Sequence, residues 1–276
     1  MRYQGVAKIV LLFAVNLVLL QMMFGIVVGI IFLILICIYI LYGEKIVLLH
    51  DKAIKLEDLT GNEKEILKKA MKNLSEKVYG NFNQNISGLK VYLIPDEGFN
   101  AYAYGGKSIG ITRGALKMCN GLSIQSILAH EVNHILSLDV MFNKLFLITY
   151  LLSVSKILSF LSPGIAIAWA LLFLLCVSRV NRTRSKVFML LQFVFVFLYI
   201  LLARFFSRGG EYRADEFSFQ NCGSQLASVL EKYVLPREVE AKIWESNPFN
   251  THPSTTKRIE RLYEYGYGVK RIKRVW

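Results

Sequence analysis

The chain has 276 residues, a length that allows one or two domains. Apolar residues make up 54% of it and cluster into long runs, and 33 lysines and arginines outnumber 20 aspartates and glutamates. A basic balance is typical of proteins that bind nucleic acid or an anionic membrane surface. The apolar runs favour the membrane, and we expect no nucleic-acid partner, because no RNA-binding aromatic motif or basic recognition helix can be placed. The four cysteines form no CxxC pair, which argues against a disulfide framework or a cysteine zinc site.

An almost wholly apolar run extends from about Val6 to Tyr42. One spanning helix needs roughly 20 residues, so this run is long for one crossing and tight for two. Positive residues flank both ends, and positively charged loops tend to stay in the cytoplasm. We therefore predict a transmembrane hairpin at residues 1–43. One strongly tilted helix is the alternative, whereas a cleaved signal peptide is excluded by the length of the run.

The sequence after residue 43 changes to a soluble composition. A helix start at Leu59–Asn62 and apolar residues at helical spacing predict an amphipathic helix that ends near Gly80. Three stretches rich in β-forming residues then predict a small antiparallel sheet: Leu89–Pro95, Asn100–Tyr104 and Ser108–Thr112. An edge strand of such a sheet can bind an extended peptide through main-chain hydrogen bonds. A purely structural hairpin is the alternative.

The five residues HEVNH at positions 130–134 match the pattern H-E-x-x-H. On a helix, which we expect to start near Ser123, His130 and His134 lie one turn apart on the same face. Both imidazoles can therefore bind one Zn²⁺ ion. Glu131 lies beside that ion and can take a proton from a zinc-bound water.

Two further apolar runs follow the HEVNH helix, at about 145–177 and 187–206, with a basic stretch between them. We expect the HEVNH helix to continue directly into the first run. If residues on both sides of 145–206 share one metal, the number of crossings between them must be even. Either each run crosses once, or the first is a hairpin and the second does not cross. The predicted order is a hairpin at 1–43, a first catalytic half at 44–144, transmembrane segments at 145–206 and a second half at 207–276.

Two acidic residues follow the last apolar run. A catalytic zinc takes three protein ligands and leaves one position for water, and Glu211 is the candidate for the third ligand. Asp215 lies one turn later on the same face and can accept a hydrogen bond from a ligand imidazole. Alternatively, these residues belong to a solvated charge cluster.

Residues near the C-terminal end can supply donors to an oxyanion. His252 and Arg258 are the candidates, because a metal-bound tetrahedral intermediate needs hydrogen-bond donors. His252 can instead cap the last helix. The basic tail Lys270–Arg274 is expected to contact anionic lipid headgroups.

Four sequence pieces occur in an order that resembles a known family. They are FNAYAYGGKSIGITRGAL at 99–116, HEVNHILSLD at 130–139, SRGGEYRAD at 207–215 and THPSTTKRIERL at 251–262. With the surrounding apolar segments, the chain resembles the HtpX-type membrane zinc metalloproteases, relatives of the CAAX prenyl endopeptidases. It departs from them in a compact first hairpin and a long apolar insert between the zinc motifs.

The resemblance implies a gluzincin fold, mainly helical with a small sheet, anchored in the cell membrane with its site facing the cytoplasm. It implies one zinc per chain bound by His130, His134 and Glu211. Glu131 would be the general base and Asp215 the partner of a ligand histidine. Asn100 would lie beside the substrate strand.

The function expected from these residues is a zinc endopeptidase that cleaves membrane or misfolded proteins. One alternative is a sensor-type membrane peptidase that cuts itself or a repressor. The other is a basic membrane scaffold that holds a structural zinc. The complete Glu131 motif and the open coordination position favour an enzyme over the scaffold.

Overall fold

Helices make up most of the fold. The computed structural model describes residues 42–145, 183–240 and 253–266, with isolated positions 14, 34 and 38. The named helices are α1 (Gly61–Phe82), α2 (Arg113–Met118), α3 (Gly121–Leu136), α4 (Thr183–Cys222), α5 (Gln225–Val229), α6 (Leu235–Glu240) and α7 (Thr255–Gly266). Residues 42–50 and 139–145 are also helical, a short 3₁₀ turn spans Leu56–Asp58, and a π-helical turn at Leu230–Val234 joins α5 to α6. The prediction of a mainly helical chain is confirmed.

The sheet is mixed, so the prediction of an antiparallel sheet is wrong. Its strands are β1 (Ile54–Lys55), β2 (Lys90–Ile94), β3 (Ala101–Ala103) and β4 (Ser108–Thr112), in the order β1-β2-β4-β3. The predicted β3–β4 hairpin is present, but β4 inserts between β2 and β3 and runs parallel to β2. Strands next to each other in the sequence are therefore not all neighbours in space. As a result β3 occupies an edge of the sheet.

The central strand β4 is completely buried between its neighbours. At Gly110 a Cβ atom would lie 2.4 Å from Cε2 of Tyr104 and 2.8 Å from Cδ1 of Ile94. Only glycine avoids these overlaps. Strand β4 therefore leaves no room for a side chain at position 110.

Helix α1 follows its sequence pattern closely. It begins after Thr60 and ends at Phe82, where Asn83 adopts a left-handed conformation with φ 51°. Its buried residues recur at helical spacing: Leu67, Ala70, Leu74 and Val78. This face packs on α3, which packs in turn on α4, so α3 lies at the centre of the core.

The expected continuation of the HEVNH helix into the next apolar run is wrong. Helix α3 ends at Leu136, and Leu138 takes a left-handed backbone conformation with φ 58°. A second helical stretch starts at residue 139. This break determines which side chain can reach His134.

Two contacts tie residues 42–51 to the end of the sheet near β3, and a third joins Lys144 to the same end. The Tyr104 hydroxyl donates to Oδ2 of Asp51 at 2.6 Å, and the Ser108 hydroxyl donates to Glu44. From the other side, Nζ of Lys144 donates to the carbonyl of Tyr104 at 3.1 Å. The residues that follow the first predicted membrane segment and those that precede the second therefore meet at one corner of the fold.

The predicted membrane segments lie largely outside the described residues, as do His252 and the basic tail. Helix α4 is described from Thr183 onward, and so includes the backbone of the last apolar run. Among the residues that the structure describes, no helix is both long and apolar enough to cross a membrane.

Candidate metal centre

Helix α3 presents His130 and His134 on one face, one turn apart. Asn120 caps the start of the helix, accepting from the backbone N–H of Ser123 at 2.9 Å. The opposite face is apolar and buried in the core, and includes Ile124, Leu128, Val132 and Ile135. Burial of that face turns both histidines toward α4, with their Nε2 atoms 3.2 Å apart.

Helix α4 brings Glu211 to both imidazoles. Its Oε2 lies 3.4 Å from Nε2 of His130, and its Oε1 lies 3.5 Å from Nε2 of His134. Glu211 and His130 are almost fully buried, with exposures of 5% and 7%. The structure therefore brings together the three side chains that the sequence predicts as metal ligands, although they are separated by the long apolar insert.

The spacing of these three donors fits a metal ion. Two donors that are each ~2.0–2.1 Å from a tetrahedral zinc lie about 3.3 Å apart, close to the three separations found here. All candidate ligand atoms of His130, His134 and Glu211 lie within 4.8 Å of one another. Two imidazoles and one carboxylate also form a common donor set of catalytic zinc sites. The chain therefore has a three-residue group that could hold a metal.

Asp215 contacts the far side of the His130 ring. Its Oδ1 lies 3.0 Å from Nδ1 of His130, so Nε2 of that ring is left to face Glu211. Burial alone would lower the pKa of His130, but Asp215 and Glu211 together raise it to about 10. The two carboxylates thus favour positive charge on the His130 ring in spite of its burial.

Arg258 of α7 contacts both carboxylates of the centre. Its Nε donates to Asp215 at 2.9 Å and its Nη2 at 2.7 Å, and its Nη1 lies 3.5 Å from Oε2 of Glu211. Burial by itself would raise the pKa of Asp215, but Arg258 and His130 hold it below its ordinary value. The structure thus places Arg258 against the carboxylates of Asp215 and Glu211, whereas the sequence predicts it as an oxyanion donor.

Asp139 is a contact of the centre that the sequence reasoning missed. Its Oδ2 lies 3.3 Å from Nδ1 of His134, and Nη2 of Arg213 donates to its Oδ1 at 3.0 Å. On an unbroken helix, five residues correspond to about 500°, which would turn Asp139 well away from His134. The local sequence contains neither glycine nor proline to reveal the break at Leu138.

Glu131 lies on α3 directly after His130, and Asn100 lies just before strand β3. Glu131 is half-buried on α3, and α3 packs against β3. Burial raises the pKa of the Tyr102 hydroxyl on β3. Asn100 precedes β3, and its Nδ2 donates to the Tyr102 hydroxyl at 2.7 Å.

Comparison with known proteins places the chain in a family. The model of peptidase family M48 matches residues 65–265, which include every residue of the centre. The chain belongs to peptidase family M48. Like the family, it is a metallopeptidase, and its relatives identify it as HtpX-like, as its sequence motifs predict.

Three M48 relatives illustrate the similarity, and each carries the name protease HtpX homolog. The protein of Aquifex aeolicus is 29% identical over 214 residues, covering 65% of this chain and 67% of its own length. That of Campylobacter concisus is 26% identical over 261 residues, or 83% of each chain. That of Thermococcus sibiricus is 27% identical over 253 residues, or 80% of each.

Proposed function

We propose that this M48 peptidase is a membrane-bound zinc endopeptidase that hydrolyses peptide bonds of membrane or misfolded proteins. The observation that carries the proposal is the convergence of His130, His134 and Glu211, with donor separations of 3.2, 3.4 and 3.5 Å. Three protein ligands leave one tetrahedral position for water or substrate, which is the arrangement of a catalytic zinc. A structural zinc would instead take a fourth protein ligand.

Glu131 supplies the proton transfer in this proposal. A zinc ion at the centre would polarise the scissile carbonyl and lower the pKa of a bound water toward ~7. Glu131 follows a proposed ligand directly and is half-buried on α3, the helix that packs against β3. Its carboxylate accepts the proton of the attacking water and delivers it to the leaving amine. Asp215, held by Arg258, fixes the orientation of His130 while this happens.

The substrate is proposed to bind as an extended strand along β3. Because Tyr104 donates its N–H to Ser108 across the hairpin, the alternation of a strand turns the N–H of Ala103 away from β4. An extended peptide can therefore pair with the outer edge of β3. Asn100 lies at the start of this edge. His252, just before α7 in the sequence, is the proposed oxyanion donor.

The proposed setting is the cell membrane, with the catalytic residues on the cytoplasmic side. Supporting this are the apolar runs at 6–42, 145–177 and 187–206 and the basic residues beside them. Helix α4 joins the last of these runs to Glu211 without a break. Residues 42–51 and Lys144 also meet beside β3. A membrane at that corner would therefore bring membrane-protein substrates close to the outer edge of β3, where substrate is proposed to bind.

The test is the substitution Glu131→Gln in the full-length chain in detergent. The wild type should bind one zinc per chain and cleave casein. The variant should retain zinc, but its rate of casein cleavage should be at least about 100-fold lower. Glu216→Gln is the matched control, since it makes the same change at an exposed carboxylate on α4. Wild-type zinc binding without any hydrolysis would favour the scaffold, and full activity of Glu131→Gln would refute the general-base role.

A further inference from the structure

Asp139 and Arg213 form a contact pair on the outer side of His134. Asp139 uses one oxygen toward Nδ1 of His134, at 3.3 Å, and the other toward Nη2 of Arg213, at 3.0 Å. The side chains of Asp139 and His134 are 15% and 13% exposed, so their contact is largely shielded from water, whereas Arg213 is 38% exposed. The carboxylate thus links the second histidine of HEVNH to the helix that carries Glu211.

The turn between α3 and residue 139 positions the carboxylate of Asp139. The N–H of Ser137 donates to Asn133 at 2.8 Å and that of Leu138 to Ile135 at 3.1 Å, which closes the end of α3. Leu138 then takes φ 58°, a region that leucine rarely adopts. Helical structure resumes at residue 139, and Oδ2 of Asp139 lies 3.3 Å from Nδ1 of His134.

Gly210 provides the space that Asp139 occupies. It is buried on α4, directly before Glu211. A Cβ atom at this position would lie 3.0 Å from Oδ2 of Asp139 and 3.3 Å from its Cγ. Any larger residue would press on the oxygen that faces His134. Helix α4 therefore contributes the space for Asp139, the arginine that holds it and the ligand Glu211.

The arrangement repeats the one around the other histidine. His130 contacts Asp215, which is held by Arg258, and His134 contacts Asp139, which is held by Arg213. In both cases the carboxylate takes Nδ1 and leaves Nε2 pointing to the shared centre. A carboxylate on the distal nitrogen fixes the tautomer of a ligand imidazole and raises its basicity toward a metal.

We infer that Asp139 is a positioning residue for His134, held in place by Arg213 and by the absence of a side chain at Gly210. The inference rests on the proposed metal-binding role of His134. It assigns Asp139 no contact with substrate or metal. Its effect is on how tightly the centre binds zinc.

The experiment measures zinc affinity of the full-length chain in detergent by competition with a chromophoric chelator. Asp139→Ala should weaken zinc binding about 10–100-fold, the usual effect of losing such a partner. Asp139→Asn should lose less zinc affinity, because the amide oxygen of asparagine can still accept a hydrogen bond from Nδ1 of His134. Gly210→Ala should also weaken binding, although it removes no polar group. Glu216→Ala, which removes an exposed carboxylate on the same helix, should leave the affinity unchanged.

A purely structural role makes a different prediction. Asp139 also stands at the start of helical residues 139–145, where an acidic residue stabilises a helix by itself. If that were its only role, Asp139→Ala would lower the melting temperature of the metal-free chain and leave zinc affinity within about twofold. That result would overturn the inference.

Failure of the inference about Asp139 can be distinguished from failure of the proposed peptidase activity. If the wild type binds zinc tightly but hydrolyses nothing, the proposed activity fails, while the zinc affinities of the variants still decide the role of Asp139. If the wild type binds no zinc, both proposals are overturned.

Discussion

Replacing Arg258 by methionine should destabilise the metal-free chain more than the zinc-bound chain. Arg258 makes two hydrogen bonds to Asp215, whose side chain is only 1% exposed. Methionine fills much of the same volume but leaves the carboxylate without its main counter-charge. The buried carboxylates of Asp215 and Glu211 would then lose the positive charge of Arg258.

The size of the effect follows from the burial of the pair. Removing one partner of a buried ion pair typically costs about 3–5 kcal/mol. Since Asp215 keeps its contact with His130, we expect the lower end, about 3 kcal/mol, in the metal-free chain. This is a large part of an ordinary stability of about 5–15 kcal/mol. A bound zinc would restore positive charge beside Glu211 and His130, so the loss should be smaller in the zinc-bound chain.

Chemical denaturation measures the loss of unfolding free energy in both forms. It is carried out on the full-length chain in detergent, with zinc or with a chelator. Lys257→Met is the matched control, because it removes one positive charge from an exposed neighbour on the same helix. That variant should change stability by no more than about 0.5 kcal/mol. Equal losses for Arg258→Met with and without zinc would refute the electrostatic coupling between Arg258 and the metal centre. A loss no larger than that of the control would refute the buried pair itself.

Two further predictions concern protonation and substrate binding. In the metal-free chain the pKa of His130 is raised from 6.5 to about 10, so its contribution to stability is fully present below about pH 6.5 and is lost as the pH rises through 10. Denaturation midpoints against pH check this, and a midpoint that rises over that range would contradict it. Ala103→Pro removes the outward N–H of β3, so it should lower kcat/KM at least about tenfold without changing zinc affinity. Unchanged kcat/KM would argue against substrate pairing along β3.

The sequence predicted the helices and strands that depend on local pattern. Apolar spacing located α1, and the three β-rich stretches located β2, β3 and β4 within a residue or two. The candidate ligands His130 and His134 were predictable because the spacing of HEVNH brings both imidazoles to one face of a helix. Their convergence with Glu211 depends on the packing of α3 against α4, which spacing alone does not determine.

The features that the sequence did not predict depend on long-range packing. The parallel pairing of β2 with β4 results from how the chain crosses the sheet, since either pairing suits the same alternating residues. The break after α3 occurs at Leu138, where no glycine or proline marks it. The contact of Asp139 with His134 follows from that break, so it was missed for the same reason.

X-ray absorption at the zinc edge on the purified full-length chain tests the central claim most directly. With one zinc bound per chain, the spectrum should show two imidazole ligands and oxygen donors at about 2.0–2.2 Å, and Glu211→Ala should remove one oxygen donor or abolish binding. Sulfur at about 2.3 Å, or a spectrum unchanged by His134→Ala, would place the zinc elsewhere and contradict the proposed centre.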